Sequence, residues 1–193
     1  DNAVSTISVG DGTQLKSTGG AVNIGTHSDI SEDFTHVNTN VGLGNVALLL
    51  PDFQQDEKNT ISIGNGVGIE AAGKVAIGTN SLCNFKASTY DITLAAVSIG
   101  VNVGAIGLAT TQELTTGDNV TIKGRTVDIL QKASRDINII EDHISATVLA
   151  LSFPFLNITD TVTANLGIGN GNQITATAEK DAMTEERSKT PSM

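Results

Sequence analysis

The chain has no tryptophan, one tyrosine, one cysteine and three prolines in 193 residues. Each shortage excludes something. With Cys83 alone, no intramolecular disulfide forms and no cysteine-based metal site is available. The expectation for Cys83 is an inert thiol in a small, apolar slot. Aromatic residues make up 3% of the chain, which leaves a carbohydrate-active enzyme almost nothing on which to stack a sugar. Tyr90 is its one tyrosine. Basic residues are also scarce, 11 against 21 acidic ones, for a net charge of −10. No basic patch exists, so neither nucleic acid nor an anionic membrane is an expected partner. No apolar run reaches membrane-spanning length, so membrane insertion is not expected. Nor does any stretch of twelve residues keep a helical period; the nearest, 130–140, returns to strict alternation.

What the chain does have is repetition. Ile61-Ser-Ile-Gly-Asn-Gly-Val-Gly-Ile69 occurs earlier as Ile7-Ser-Val-Gly-Asp-Gly-Thr-Gln-Leu15. It returns as Leu114-Thr-Thr-Gly-Asp-Asn-Val-Thr-Ile122 and as Leu166-Gly-Ile-Gly-Asn-Gly-Asn-Gln-Ile174. The starts at 7, 61, 114 and 166 are spaced by 54, 53 and 52 residues. A fixed long period is the signature of a stacked architecture. A second phrase follows each of the first three copies: Val22-Asn-Ile24, Val75-Ala-Ile77 and Val127-Asp-Ile129. From each of these valines to the next copy the distance is 39 residues every time. All the drift therefore lies in one connection, residues 16–21, 70–74 and 123–126, which reads as an exposed turn.

Each copy alternates apolar and polar residues and closes on a Gly/Asp/Asn corner, the pattern of short strands with one face buried. The constant register places Val46, Leu48 and Leu50 level with Ile99, Val101 and Val103, and with Leu151, Phe153 and Phe155. These nine are expected to form inward ladders, with a bulge or a sheet edge at Pro154. Phe53, Ile106 and Ile158 are also level. At the corners, Asn65, Asn119 and Asn170, with Asp11, are expected to form a side-chain ladder. Such strands cannot bury a face alone, and stacking neighbours buries a continuous core. The expected fold is all-β, a parallel β-helix or β-solenoid over residues 1–178 built from ~53-residue repeats. A unit that long suggests two coils per repeat. Residues 179–193 read as a charged C-terminal tail.

The phrases Ile99-Gly-Val-Asn-Val-Gly-Ala-Ile106, Thr116-Gly-Asp-Asn-Val-Thr-Ile122 and Thr126-Val-Asp-Ile129 resemble passenger repeats of bacterial adhesins of the filamentous-haemagglutinin and autotransporter kind. The fourth copy, from Asn157 through Gly171, is similar. The resemblance implies a right-handed parallel β-helix, export to the bacterial cell surface and a role in attachment. The implied partner is a glycan or protein on a host or neighbouring cell. The copy with Leu48, Leu49 and Leu50 in a row and the charged tail depart from that pattern.

Other chemistry finds little support. His27, His36 and His143 fall at different repeat offsets and imply no shared metal cluster. The nine-residue period of calcium β-rolls is absent, so Asp11 and Asp118 read as turn residues. Glu141 and Asp142 read as a solvated turn rather than an acid/base pair. Gly64, Gly66 and Gly68 precede no helix and so make no nucleotide loop. Asn119 and Asn157 match the N-glycosylation pattern without meaning in a bacterial protein. No catalytic, cofactor-binding or metal residue is assigned, and a non-enzymatic adhesin is expected. Neither end of the repeat array shows an obvious cap. The alternative is therefore a structural subunit that self-associates end to end into an extracellular filament.

Overall fold

A computed structural model describes residues 2–49 and 52–177. Leu50 and the tail 179–193 lie outside the described residues, as do the side chains of Val46, Leu48, Val103, His143, Phe153 and Pro154. The elements are β1 (Asn2–Val9), β2 (Gln14–Ser17), β3 (Val22–Leu49), β4 (Asp52–Ile63), β5 (Gly68–Ala71), β6 (Lys74–Thr116), β7 (Thr121–Gly124), β8 (Thr126–Ile168) and β9 (Gln173–Ala176). The fold is all-β, and every strand pairing is parallel.

The repeat is the pairing unit. Ile7 pairs with Ile61, Ile61 with Leu114, and Leu114 with Leu166. Val22, Val75 and Val127 form a second ladder, and Leu15, Ile69, Ile122 and Ile174 a third. Hydrogen-bonded neighbours are thus one whole repeat apart, and the expected two coils per repeat are not found. One repeat makes one tier. It can, because the long stretch doubles back on itself: Phe85 and Ile106 share one hydrophobic cluster although both belong to β6. Buried residues mark the bends. They run at odd positions from Val75 to Ala87, and the adjacent Ser88 is also buried. Odd positions resume at Asp91, Thr93 and Ala95, and even ones follow at Ser98 and again from Gly104 through Leu114.

The second bend overturns part of the expected inward ladder. The backbone register of Val46, Ile99 and Leu151 is as read from sequence. However, Ile99 is 37% exposed while Ser98 beside it is 3% exposed. The pairing skips Leu43, Ala96 and Val148, and in β6 the phase reverses there and turns Ile99 outward. Pro154 pairs in unbroken register with Asn102, so no bulge forms. It lies on β8, which pairs with β6 alone and is therefore an edge strand.

At the opposite end the tiers turn through two tight corners separated by the four-residue strands β2, β5, β7 and β9. The length drift falls at residues 18–21, 72–73 and 125, a narrower site than expected because Lys16, Glu70 and Lys123 are already in paired strands. Ile61, Ile63, Val67, Ile69, Val75, Ile77, Leu114, Val120 and Ile122 form the apolar core behind these corners. Further from the corners, Gln55, Glu57 and Asn59 on one wall lie opposite Thr79, Ser81 and Cys83 on the other, all buried. Beyond them Phe53 meets Phe85, ring centroids 4.6 Å apart. The interior is therefore banded, apolar then polar then apolar.

Candidate interaction surfaces

The corners form the most regular surface. Asn65 donates its backbone N–H to Asp11 Oδ1 (2.7 Å), Asp118 N–H donates to Asn65 Oδ1 (2.8 Å), and Asn170 N–H donates to Asp118 Oδ1 (2.6 Å). The expected ladder exists, but its third member is Asp118, not Asn119. Asn119 occupies the left-handed position (φ 57°) held by glycine in the other tiers: Gly12 (67°), Gly66 (63°) and Gly171 (68°). Asparagine tolerates that conformation better than most residues. Asp11 and Asp118 thus serve as acceptors for the next tier's amide.

The second constellation is buried and was not anticipated. The Glu57 carboxylate accepts from Asn59 Nδ2, Ser81 Oγ and Thr110 Oγ1. One tier on, Arg135 replaces Cys83 in the facing ladder, and its guanidinium donates to Asp160, Thr110 and the Thr161 carbonyl. Burial pulls the Arg135 guanidinium below its ordinary range, while Cys83 and Glu57 act against that shift. Burial also pushes the Cys83 thiol up; Arg135 opposes this and Glu57 adds to it. Cys83 is buried as expected, but its slot is mixed rather than apolar, because Gln55, Glu57, Thr110 and Arg135 line it together with Leu108 and Ala109. That space holds no water-sized molecule. The signal was present in the sequence: Phe53, Gln55, Glu57, Asn59, Ile61 and Ile63 share one phase, which sends the carboxylate inward.

The third surface is apolar and outward. At the far bend Leu43 is 90% and Val148 92% exposed. Val41, Leu94, Val97, Leu149 and Leu151 are exposed beside them. Residues 41–44, 94–99 and 146–149 contain no charged side chain.

The fourth is a groove of ≈ 440 Å³ on the outer face of β3, β6 and β8. Its floor is the bare backbone of Gly25 and Gly78, which are paired with each other, with Leu130 next in the ladder. One wall carries His27, Asn80 and Lys132, which are level in successive tiers. Asn80 Nδ2 lies 3.1 Å from His27 Nδ1. The other wall carries the Lys74–Asp128 ion pair, 2.5 Å.

The remaining residues singled out in the sequence do not converge. His36 stacks against Phe34 away from His27. Glu141 and Asp142 are exposed and lie within β8, level with Thr89 and Tyr90 at the first bend of the tier. Asn157 is exposed on the same strand, and Tyr90 is half-buried. No group of three or more His, Cys, Asp or Glu residues is placed to hold a metal among the described residues. Comparison with family models, curated proteins and solved structures finds no match for this chain.

Proposed function

We propose that the chain is a non-enzymatic segment of a bacterial cell-surface adhesin, a right-handed β-solenoid whose stacked tiers display a binding surface to a neighbouring or host cell. The observation that carries this reading is the uncharged, apolar far edge, renewed in each tier by Val41 and Leu43, then Leu94 and Val97, then Val148 and Leu149. Exposed apolar patches of that continuity mark interaction sites in soluble proteins. The repeat phrases supply the adhesin class, by their resemblance to passenger repeats. The buried carboxylate, Glu57, is sealed and fully occupied by three donors, as suits a structural role.

The test is attachment. Beads coated with the protein should adhere to epithelial or bacterial cells, and a Leu43→Ser/Val97→Ser/Leu149→Ser variant with an unchanged melting curve should adhere no better than albumin-coated beads. Wild-type beads that behave like albumin would sink the reading. One observation favours the alternative, a filament subunit. Leu166, Ile168 and Ile174 continue the core ladders yet remain half-exposed on the last described tier, where a second copy could stack. Light scattering separates the two readings, since rods growing with concentration indicate a filament and a constant small mass a display segment.

A further inference from the structure

We infer that the groove over Gly25 and Gly78 binds an acidic saccharide, a sugar carrying a carboxylate. This deepens the adhesin reading above and rests on it. The columns that wall the groove stand four residues apart along the strand, roughly 13 Å at the usual strand rise, and tiers repeat at about 4.8 Å. Between the walls nothing projects from the first two tiers, because the floor residues have no side chains. A sugar ring can lie flat there, with Leu130 closing one end.

The walls offer what a sugar needs. Imidazole and amide groups of His27 and Asn80 present donors and acceptors for ring hydroxyls. The Asp128 carboxylate, oriented by Lys74, accepts from hydroxyls on the other side. Asn80 Oδ1 sits in the wall with no hydrogen-bond partner, an acceptor that a rotation of the amide would offer to a ligand. The charge sets the preference. Lys74 is neutralised by Asp128, whereas the Lys132 ammonium forms no ion pair among those the structure records. An unneutralised amine beside a groove, in a chain of net charge −10, suits one carboxylate and not a polyanion. A peptide strand is a poorer fit. The backbone of the floor is already committed to the Gly25–Gly78–Leu130 ladder, so a peptide strand could add only at the outer edges of β3 and β8, beside the groove and not within it.

The experiment is an amide-resolved NMR titration of the whole chain with trigalacturonate, maltotriose and triglutamate. Trigalacturonate should shift the Gly25, Gly78 and Leu130 amides and the Asn80 side chain, and maltotriose should do so more weakly. Lys132→Gln should weaken trigalacturonate binding about tenfold and leave maltotriose unchanged. His27→Ala should weaken both. Unchanged amide spectra outside the groove certify the fold of each variant. The inference is overturned by any of four results: no shifts, shifts scattered over Lys16, Lys58 and Lys86, equal binding of triglutamate, or undiminished binding by Lys132→Gln. Groove binding by a protein whose beads do not adhere would uphold the groove and sink the adhesin reading. Adherent beads without groove shifts would do the reverse.

Discussion

Ile69 and Ile174 occupy the same ladder two tiers apart, and the structure assigns them very different costs of truncation. Ile69 is 1% exposed, covered by Leu15 on one side and Ile122 on the other; Ile174 is 47% exposed, with Ile122 below it and no described tier above. An Ile→Ala change removes three carbons. Full burial makes that roughly 2.4 kcal/mol of transfer energy at about 0.8 kcal/mol per carbon. An unfilled cavity brings the total for Ile69 to about 3–4 kcal/mol. At Ile174 about half the transfer term applies and no closed cavity forms, leaving about 1 kcal/mol. The chain lacks tryptophan, so urea unfolding is followed by circular dichroism rather than fluorescence. Stacked repeats can fray tier by tier, so hydrogen exchange at the Ile122 amide should be read alongside the melt. Ile69→Ala should speed that exchange, and Ile174→Ala should speed only exchange in β9. Equal destabilisation by the two variants would refute the stacked ladder, because burial would then not follow tier position.

Three further outcomes follow from local geometry. Gly78→Ala should destabilise by about 1–3 kcal/mol, since a Cβ there would run into the Leu130 carbonyl oxygen. Gly107→Ala meets only ordinary contacts, 3.7 and 3.9 Å, and should be neutral or stabilise by up to about 1 kcal/mol; melting temperatures ranked the other way would contradict the backbone placement. One glycine inserted between Thr18 and Gly19 should cost a few tenths of a kcal/mol. The same insertion after Gly107 reverses the phase of a core wall and should abolish the cooperative melt. Lys16 hydrogen-bonds Glu70 at 3.0 Å and holds its carboxyl below the ordinary carboxylate range, with Lys123 adding to this. A lowered folded pKa means that the pair's contribution is present above the unfolded value, about 4.3, and is lost as pH falls through the folded one. Glu70→Gln should flatten that part of the acid profile, and Lys16→Met should move the Glu70 titration upward by NMR.

Much of this fold was legible because its strongest constraint is periodic. A parallel ladder forces like residues to lie one repeat apart, so Ile7, Ile61, Leu114 and Leu166 announced their pairing, and Phe53, Ile106 and Ile158 theirs. Two features were hidden for one reason. Alternation says which residues share a face but not where the chain bends, and a bend changes the phase with no distinctive residue. Leu43, Ala96 and Val148 look like any other aliphatic positions, yet they turn Ile99 outward and Ser98 inward. The tier size was misjudged for the same cause. Nothing in a 43-residue alternating stretch declares that it doubles back. Asn119 was placed one position out because its side chain suggested a ladder, when its backbone conformation was the property in use.

The two polar constellations escaped motif reading for a different reason. Their members are neighbours across tiers, not along the chain. Glu57 meets Thr110 at a separation of 53 residues, and His27 meets Asn80 at the same interval. A window short enough to detect a motif cannot contain either pair. In such an architecture the apolar columns behind the corners are constrained alike in every tier, since each must match the one above and below, whereas the buried polar band varies and Arg135 follows Cys83 there. The outward columns carry no such constraint, and His27, Asn80 and Lys132 succeed one another at one level with three different chemistries. A binding surface can therefore be composed tier by tier while the core ladders stay unchanged. The groove is the place in this chain where that freedom gathers an imidazole, an amide, an unneutralised amine and a paired carboxylate around a floor without side chains.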